Sequence, residues 1–78
     1  MKIGIVCAGD EELEPFLPII ENCKITEKAM LKFYEGTING IEVVALFSGV
    51  CKVNAAIATQ ILIDNFKVNI IINSGVAG

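Results

Sequence analysis

The stretch from Val43 to Ala56, Val-Val-Ala-Leu-Phe-Ser-Gly-Val-Cys-Lys-Val-Asn-Ala-Ala, constrains the fold more than any other part of the chain. Val43 to Phe47 is a short apolar run, β-branched at its start, as a strand covered on both faces requires. Ser48-Gly49 interrupts the run, and glycine there permits a tight turn and the close approach of another segment or a ligand. From Cys51 the pattern becomes helical, rich in Ala and Ile, as far as Phe66. Strand, glycine turn and buried helix form a βα unit, and α/β proteins bind ligands at the carboxyl ends of their strands.

The same order of residues recurs at both ends of the chain. Lys2 to Cys7 reads as a strand, followed by Ala8-Gly9 and the acidic run Asp10-Glu11-Glu12. Asn69 to Asn73 reads as another, followed by Ser74-Gly75-Val76-Ala77-Gly78. If the three strands are parallel, their glycine turns share one rim of the sheet, and that rim is where chemistry is expected. Lys2 to Cys7 is almost wholly apolar after Lys2, which places it inside the sheet.

Between these units the pattern changes. Leu13, Phe16, Leu17 and Ile20 follow the i, i+3, i+4, i+7 spacing of a helix beginning near Asp10. Pro15 is tolerable close to such a start, whereas Pro18 should kink or shorten it. Cys23 to Lys28 and Leu31 to Ile38 read as strands, and Asn39-Gly40 predicts a type I′ hairpin into Val43 and Val44. An antiparallel meander therefore feeds the first-named strand. The helix from Cys51 to Phe66 has Val53, Ala56, Ile57, Gln60, Ile61 and Asp64 on one stripe and Ala55, Ala58, Leu62 and Ile63 on others. A helix apolar nearly all round should be covered on more than one side.

With 78 residues and 54% hydrophobic content, the chain carries more apolar surface than a small core can hide. Residues 1–78 therefore read as the N-terminal segment of one larger α/β domain, with an obligate oligomer as the alternative. A net charge of −3 and a pI near 4.7 argue against nucleic acid or an anionic membrane as partner. The start resembles a first strand rather than a signal sequence. Cys7, Cys23 and Cys51 are odd in number and dispersed, which predicts reduced, mostly buried thiols and a cytoplasmic location.

The residue inventory narrows the chemistry. The chain has no His, so Ser-His and Cys-His pairs are absent and a metal site is not expected. All six Lys+Arg residues are lysine, leaving no Arg to clamp a phosphate. Neither the dinucleotide nor the P-loop fingerprint occurs, and no cofactor is expected. There remains a carboxylate at the first rim loop. Glu12 can project back toward the strand ends and deprotonate a water there, although acids in a first helical turn equally serve as capping and dipole residues.

Met-Lys-Ile-Gly-Ile-Val with Asp-Glu-Glu-Leu-Glu, Phe-Tyr-Glu-Gly-Thr-Ile-Asn-Gly, Ser-Gly-Val-Cys-Lys-Val-Asn-Ala-Ala and Ile-Ile-Asn-Ser-Gly-Val-Ala-Gly together resemble the start of bacterial 5′-methylthioadenosine/S-adenosylhomocysteine nucleosidases, in the nucleoside phosphorylase superfamily. The likeness runs through the whole chain in one register and covers roughly the first third of such an enzyme, a single domain in size. It implies an incomplete three-layer αβα fold with a mixed sheet. It also implies hydrolysis of the N-glycosidic bond of a purine thio-nucleoside to adenine and a thioribose product, without cofactor, by a cytoplasmic homodimer.

On this resemblance Glu12 activates the attacking water and Val50 lines the pocket near the thio substituent. Val76, Ala77 and Gly78 approach the nucleoside, with the Gly78 backbone as a contact. Later segments of such enzymes supply the aspartate that protonates adenine and the glutamate that holds the ribose hydroxyls. The chain departs from the family pattern in three places. Gly9 stands where a methionine packs against the ribose, Cys51 where glycine is usual, and Val76 where many members carry Ser. Glu12 without Arg favours water over phosphate as nucleophile. The alternatives are a nucleoside phosphorylase, a hydrolase of another nucleoside, or a non-catalytic α/β module pairing through a sheet edge.

Overall fold

Strand β1 (Lys2–Cys7) pairs in parallel with a neighbour on each side, β4 (Ile41–Phe47) and β5 (Ile70–Ser74). The computed structural model describes residues 1–7, 9, 13–48 and 52–74. Strands β2 (Glu21–Lys28) and β3 (Leu31–Ile38) complete a five-stranded mixed sheet of order β2-β3-β4-β1-β5. The meander is antiparallel, as expected, with Ile38 paired to Ile41 across the Asn39-Gly40 turn. Asn39 and Gly40 have φ of +51° and +81°, the left-handed values that a type I′ turn demands.

Helix α1 (Lys52–Asp64) carries the chain from β4 to β5, two strands that flank β1, so it must cross over β1. Gly4 permits that crossing. A Cβ at Gly4 would lie 3.0 Å from Leu62 Cδ1 and 3.4 Å from Val68 Cγ2. On this face Val6, Phe33, Val44 and Leu46 of the sheet pack with Ala58, Leu62 and Phe66. The opposite face packs Ile5, Cys7, Val43 and Ala45 against Leu13 and Ile20. The layers are therefore α1, the sheet, and the segment 13–20.

The helix expected near Asp10 is short, as Pro15 and Pro18 predict: Leu13 is helical, and the chain after it tightens into turns. Beyond Leu13 the turns close through i to i+3 bonds, the backbone N–H of Phe16 donating to Leu13 (2.9 Å), Leu17 to Glu14 (3.3 Å), Ile19 to Phe16 (3.1 Å) and Ile20 to Leu17 (3.3 Å). Leu17–Ile19 forms a 3-10 helix. Pro15 and Pro18 lack the N–H groups that α-helical bonding would use, yet the apolar side still faces the sheet. The helical start expected at Asp10 lies outside the described residues.

The remaining differences are smaller. α1 stops at Asp64 rather than Phe66, because Lys67 takes a left-handed backbone (φ +57°) and Phe66 turns back to stack on Phe33 at 5.1 Å. Lys2 Nζ lies 5.7 Å above the Phe66 ring and forms an ion pair with Glu35 Oε2 at 2.9 Å. Cys7 is buried as expected, but Cys23 is an exposed thiol on the edge strand β2. The β2–β3 turn, Ala29-Met30, also has positive φ (+53° and +65°) without the Gly or Asn that would announce it. Ile57 and Ile63 on α1, with Ile70 and Ile72 on β5, leave apolar surface exposed, in keeping with a helix apolar all round.

Gly36 is the tightest glycine among the described residues. At the start of β2 the register shifts between Glu21 and Lys24, and the chain there crosses Gly36 so closely that a Cβ would lie 2.5 Å from the Glu21 carbonyl oxygen and 2.5 Å from Ile20 Cγ2. Gly36→Ala should therefore destabilise the fold by about 1–3 kcal/mol, because backbone must move. Gly9→Ala, with nothing within 4 Å of its Cβ position, should be near neutral. Denaturant unfolding of the two variants beside the parent checks the contrast.

Candidate active site

The carboxyl ends of the three parallel strands meet at one level. Cys7, the last residue of β1, is in register with Phe47 on β4 and with Ser74 on β5. The chain leaving β4 is held there, since the backbone N–H of Ser48 donates to the Cys7 carbonyl oxygen at 2.9 Å and Ser48 is buried. Parallel pairing thus brings all three strand exits to a single rim, which the three glycine turns of the sequence predicted.

Of the residues singled out in the sequence, Gly9 lies in the described part. It is half-buried just beyond β1, and a side chain there would point into open space. Glu12, Val50, Val76, Ala77 and Gly78 lie outside the described residues, as do Gly49, Cys51 and Gly75. What the structure brings together is the frame from which their loops depart: Cys7, Gly9, Phe47, Ser48 and Ser74.

A cleft of about 360 Å³ opens at the same rim, and sequence reasoning missed it. Glu27, Met30, Leu31, Lys32, Tyr34, Phe47 and Ser48 line it. Its signal was present in the hairpin: an antiparallel β3 must begin where β4 ends, so the Ala29-Met30 turn stands beside Phe47 and Ser48. Tyr34 packs against the cluster of Ile5, Cys7 and Leu13, and Phe47 alternates with Val43 and Ala45 of that cluster. The cleft therefore shares the sheet face covered by segment 13–20. Among the described residues, no three His, Cys, Asp or Glu side chains are grouped to hold a metal ion.

A five-stranded mixed sheet crossed by α1, with its parallel strand ends gathered at a rim, defines an α/β fold. Residues 2–78 match the model of the phosphorylase superfamily, and the chain belongs to that family. It is 51% identical over 77 residues to the 5′-methylthioadenosine/S-adenosylhomocysteine nucleosidase of Halalkalibacterium halodurans, covering 99% of this chain and 33% of that one. With the nucleosidase of the same name from Desulfotalea psychrophila the identity is 45% over 78 residues, covering 100% of this chain and 33% of the relative. The crystal structure of the Colwellia psychrerythraea nucleosidase in complex with adenine superposes with a TM-score of 0.90 at 41% identity, over 94% of this chain and 30% of that one. The chain thus spans about a third of the length of the curated relatives it matches.

The open space at Gly9 makes a specific expectation. Gly9→Met, which introduces the residue that the resemblance places there, should change unfolding free energy by no more than about 0.5 kcal/mol. Denaturant titration of the variant measures it, and a larger loss would mean that neighbouring chain fills the space.

Proposed function

We propose that this chain is the N-terminal segment of a cytoplasmic nucleosidase that hydrolyses the N-glycosidic bond of 5′-methylthioadenosine and S-adenosylhomocysteine. The observation that supports this is the common level of the strand ends Cys7, Phe47 and Ser74, in a chain 45% and 51% identical to nucleosidases of that name. In this role the Glu12 carboxylate takes a proton from water as the water oxygen attacks C1′ of the ribose. The C1′–N bond breaks, its electron pair leaves with adenine, and the base takes up a proton from a group supplied by the rest of the enzyme. Positive charge develops on the sugar in such a transition state, and a nearby carboxylate stabilises it.

Val50 would line the pocket near the thio substituent, and Val76, Ala77 and Gly78 would approach the nucleoside. Water rather than phosphate is the nucleophile, since a carboxylate at the point of attack repels an anion and the chain has no Arg to offset it. The apolar surface of Ile57 and Ile63 on α1 is suited to association, so a homodimer is the assembly we assign.

Two experiments on the full-length protein test this. Glu12→Gln should lower kcat/KM for adenine release about 10²- to 10⁴-fold with unfolding behaviour kept, the range lost with a general base. An unaffected rate would reduce Glu12 to a cap. Adenine release from the parent should also proceed equally in phosphate and in phosphate-free buffer; dependence on phosphate would indicate a phosphorylase.

A further inference from the structure

The Asn39-Gly40 turn closes the β3–β4 hairpin and carries a chemistry of its own. Ile38 pairs with Ile41 across it, so Asn39 and Gly40 lie outside the strand ladder, and both are exposed. Gly40 has no side chain over its backbone nitrogen, and nothing lies within 4 Å of where its Cβ would be. Of the asparagines in the chain, Asn39 alone precedes a glycine. Asn22, Asn54, Asn65, Asn69 and Asn73 precede Cys, Ala, Phe, Ile and Ser, whose side chains crowd their own backbone nitrogens. Asn69 is further held, its Oδ1 accepting a hydrogen bond from the Lys2 backbone N–H at 2.9 Å, and Asn73 is paired with Val6 within the sheet.

We infer that Asn39 is a site of spontaneous covalent modification, deamidating through a cyclic imide to aspartate and isoaspartate. Asparagine is a thermolabile side chain, and its amide reaches neighbouring backbone readily. The Gly40 nitrogen loses its proton to solvent base and attacks the Asn39 side-chain carbonyl carbon. The C–N bond of the side-chain amide breaks, and ammonia leaves. Water then opens the imide at either carbonyl. One opening gives aspartate; the other gives isoaspartate, with the main chain rerouted through Cβ. The net change is one water consumed and one ammonia released, with a negative charge added to a chain of net charge −3. Isoaspartate also lengthens the backbone by one atom inside a two-residue turn whose φ values of +51° and +81° fit type I′ geometry. The Ile38–Ile41 pair then loosens, and with it the packing of Ile38 on the cluster of Ile5, Val43 and Ala45. The two residues that make the hairpin tight therefore also give it a finite lifetime.

For the test, the full-length protein is held at physiological temperature and mildly alkaline pH, with a mildly acidic sample alongside, and then cleaved after lysine. Residues 33–52, in which Asn39 is the only asparagine, should gain the mass of an amide-to-acid exchange and split into two chromatographic species, faster at the higher pH. Residues 53–67, with Asn54 and Asn65, should stay unchanged over the same period. Asn39→Gly, which accepts the left-handed backbone, should fold and show no mass gain in 33–52. The isoaspartate fraction should unfold at lower denaturant than fresh protein. Residues 33–52 left unmodified, or residues 53–67 converting as fast, would overturn the site. Unchanged unfolding of the isoaspartate fraction would overturn the loosening of the hairpin.

Discussion

Strand β1 is enclosed in four directions, and most of the structure follows from that enclosure. β4 and β5 take up both of its hydrogen-bonding edges, α1 covers one face and segment 13–20 the other. A charged residue between Ile3 and Cys7 would be stranded without water or partner, so the strand is apolar throughout. Gly4 is part of the same constraint, since a Cβ there would crowd the Leu62 side chain at 3.0 Å and oblige it to shift. Lys2, at the edge of this enclosure, pairs with Glu35 and lies over the Phe66 ring.

The enclosure also creates the rim. Because β1 is parallel to both neighbours, the three chains that leave Cys7, Phe47 and Ser74 do so side by side. The antiparallel meander then adds the β2–β3 turn at that level and widens the rim into a cleft. The segments that follow the three parallel strands thus start from points fixed by the sheet register. A division between rigid frame and reactive loop is common in α/β enzymes, where function changes with the loops.

The apolar surface that remains has a related origin. Ile57 and Ile63 point away from the sheet on α1, and Ile70 and Ile72 stand on the outer strand β5. A sheet of this size offers one helix only a single face to bury. The second apolar side of the helix is spare within the described residues, in line with a chain that spans a third of its relatives' length.

The sequence by itself determined the elements whose signals are local. β1 and β3 begin and end where alternation and apolar runs put them, and Asn39-Gly40 forms its hairpin because only left-handed backbone closes that turn. The convergence of the three parallel strand ends was also legible, as parallel strands leave a sheet at one rim. Tertiary structure alone decided the rest. Segment 13–20 keeps its apolar face toward the sheet through 3-10 turns, and α1 ends early so that Phe66 can reach Phe33. The cleft of Glu27, Lys32, Tyr34 and Phe47 joins residues from three strands. No local pattern encodes such a site, because the distances that define it exist only once the strands have paired.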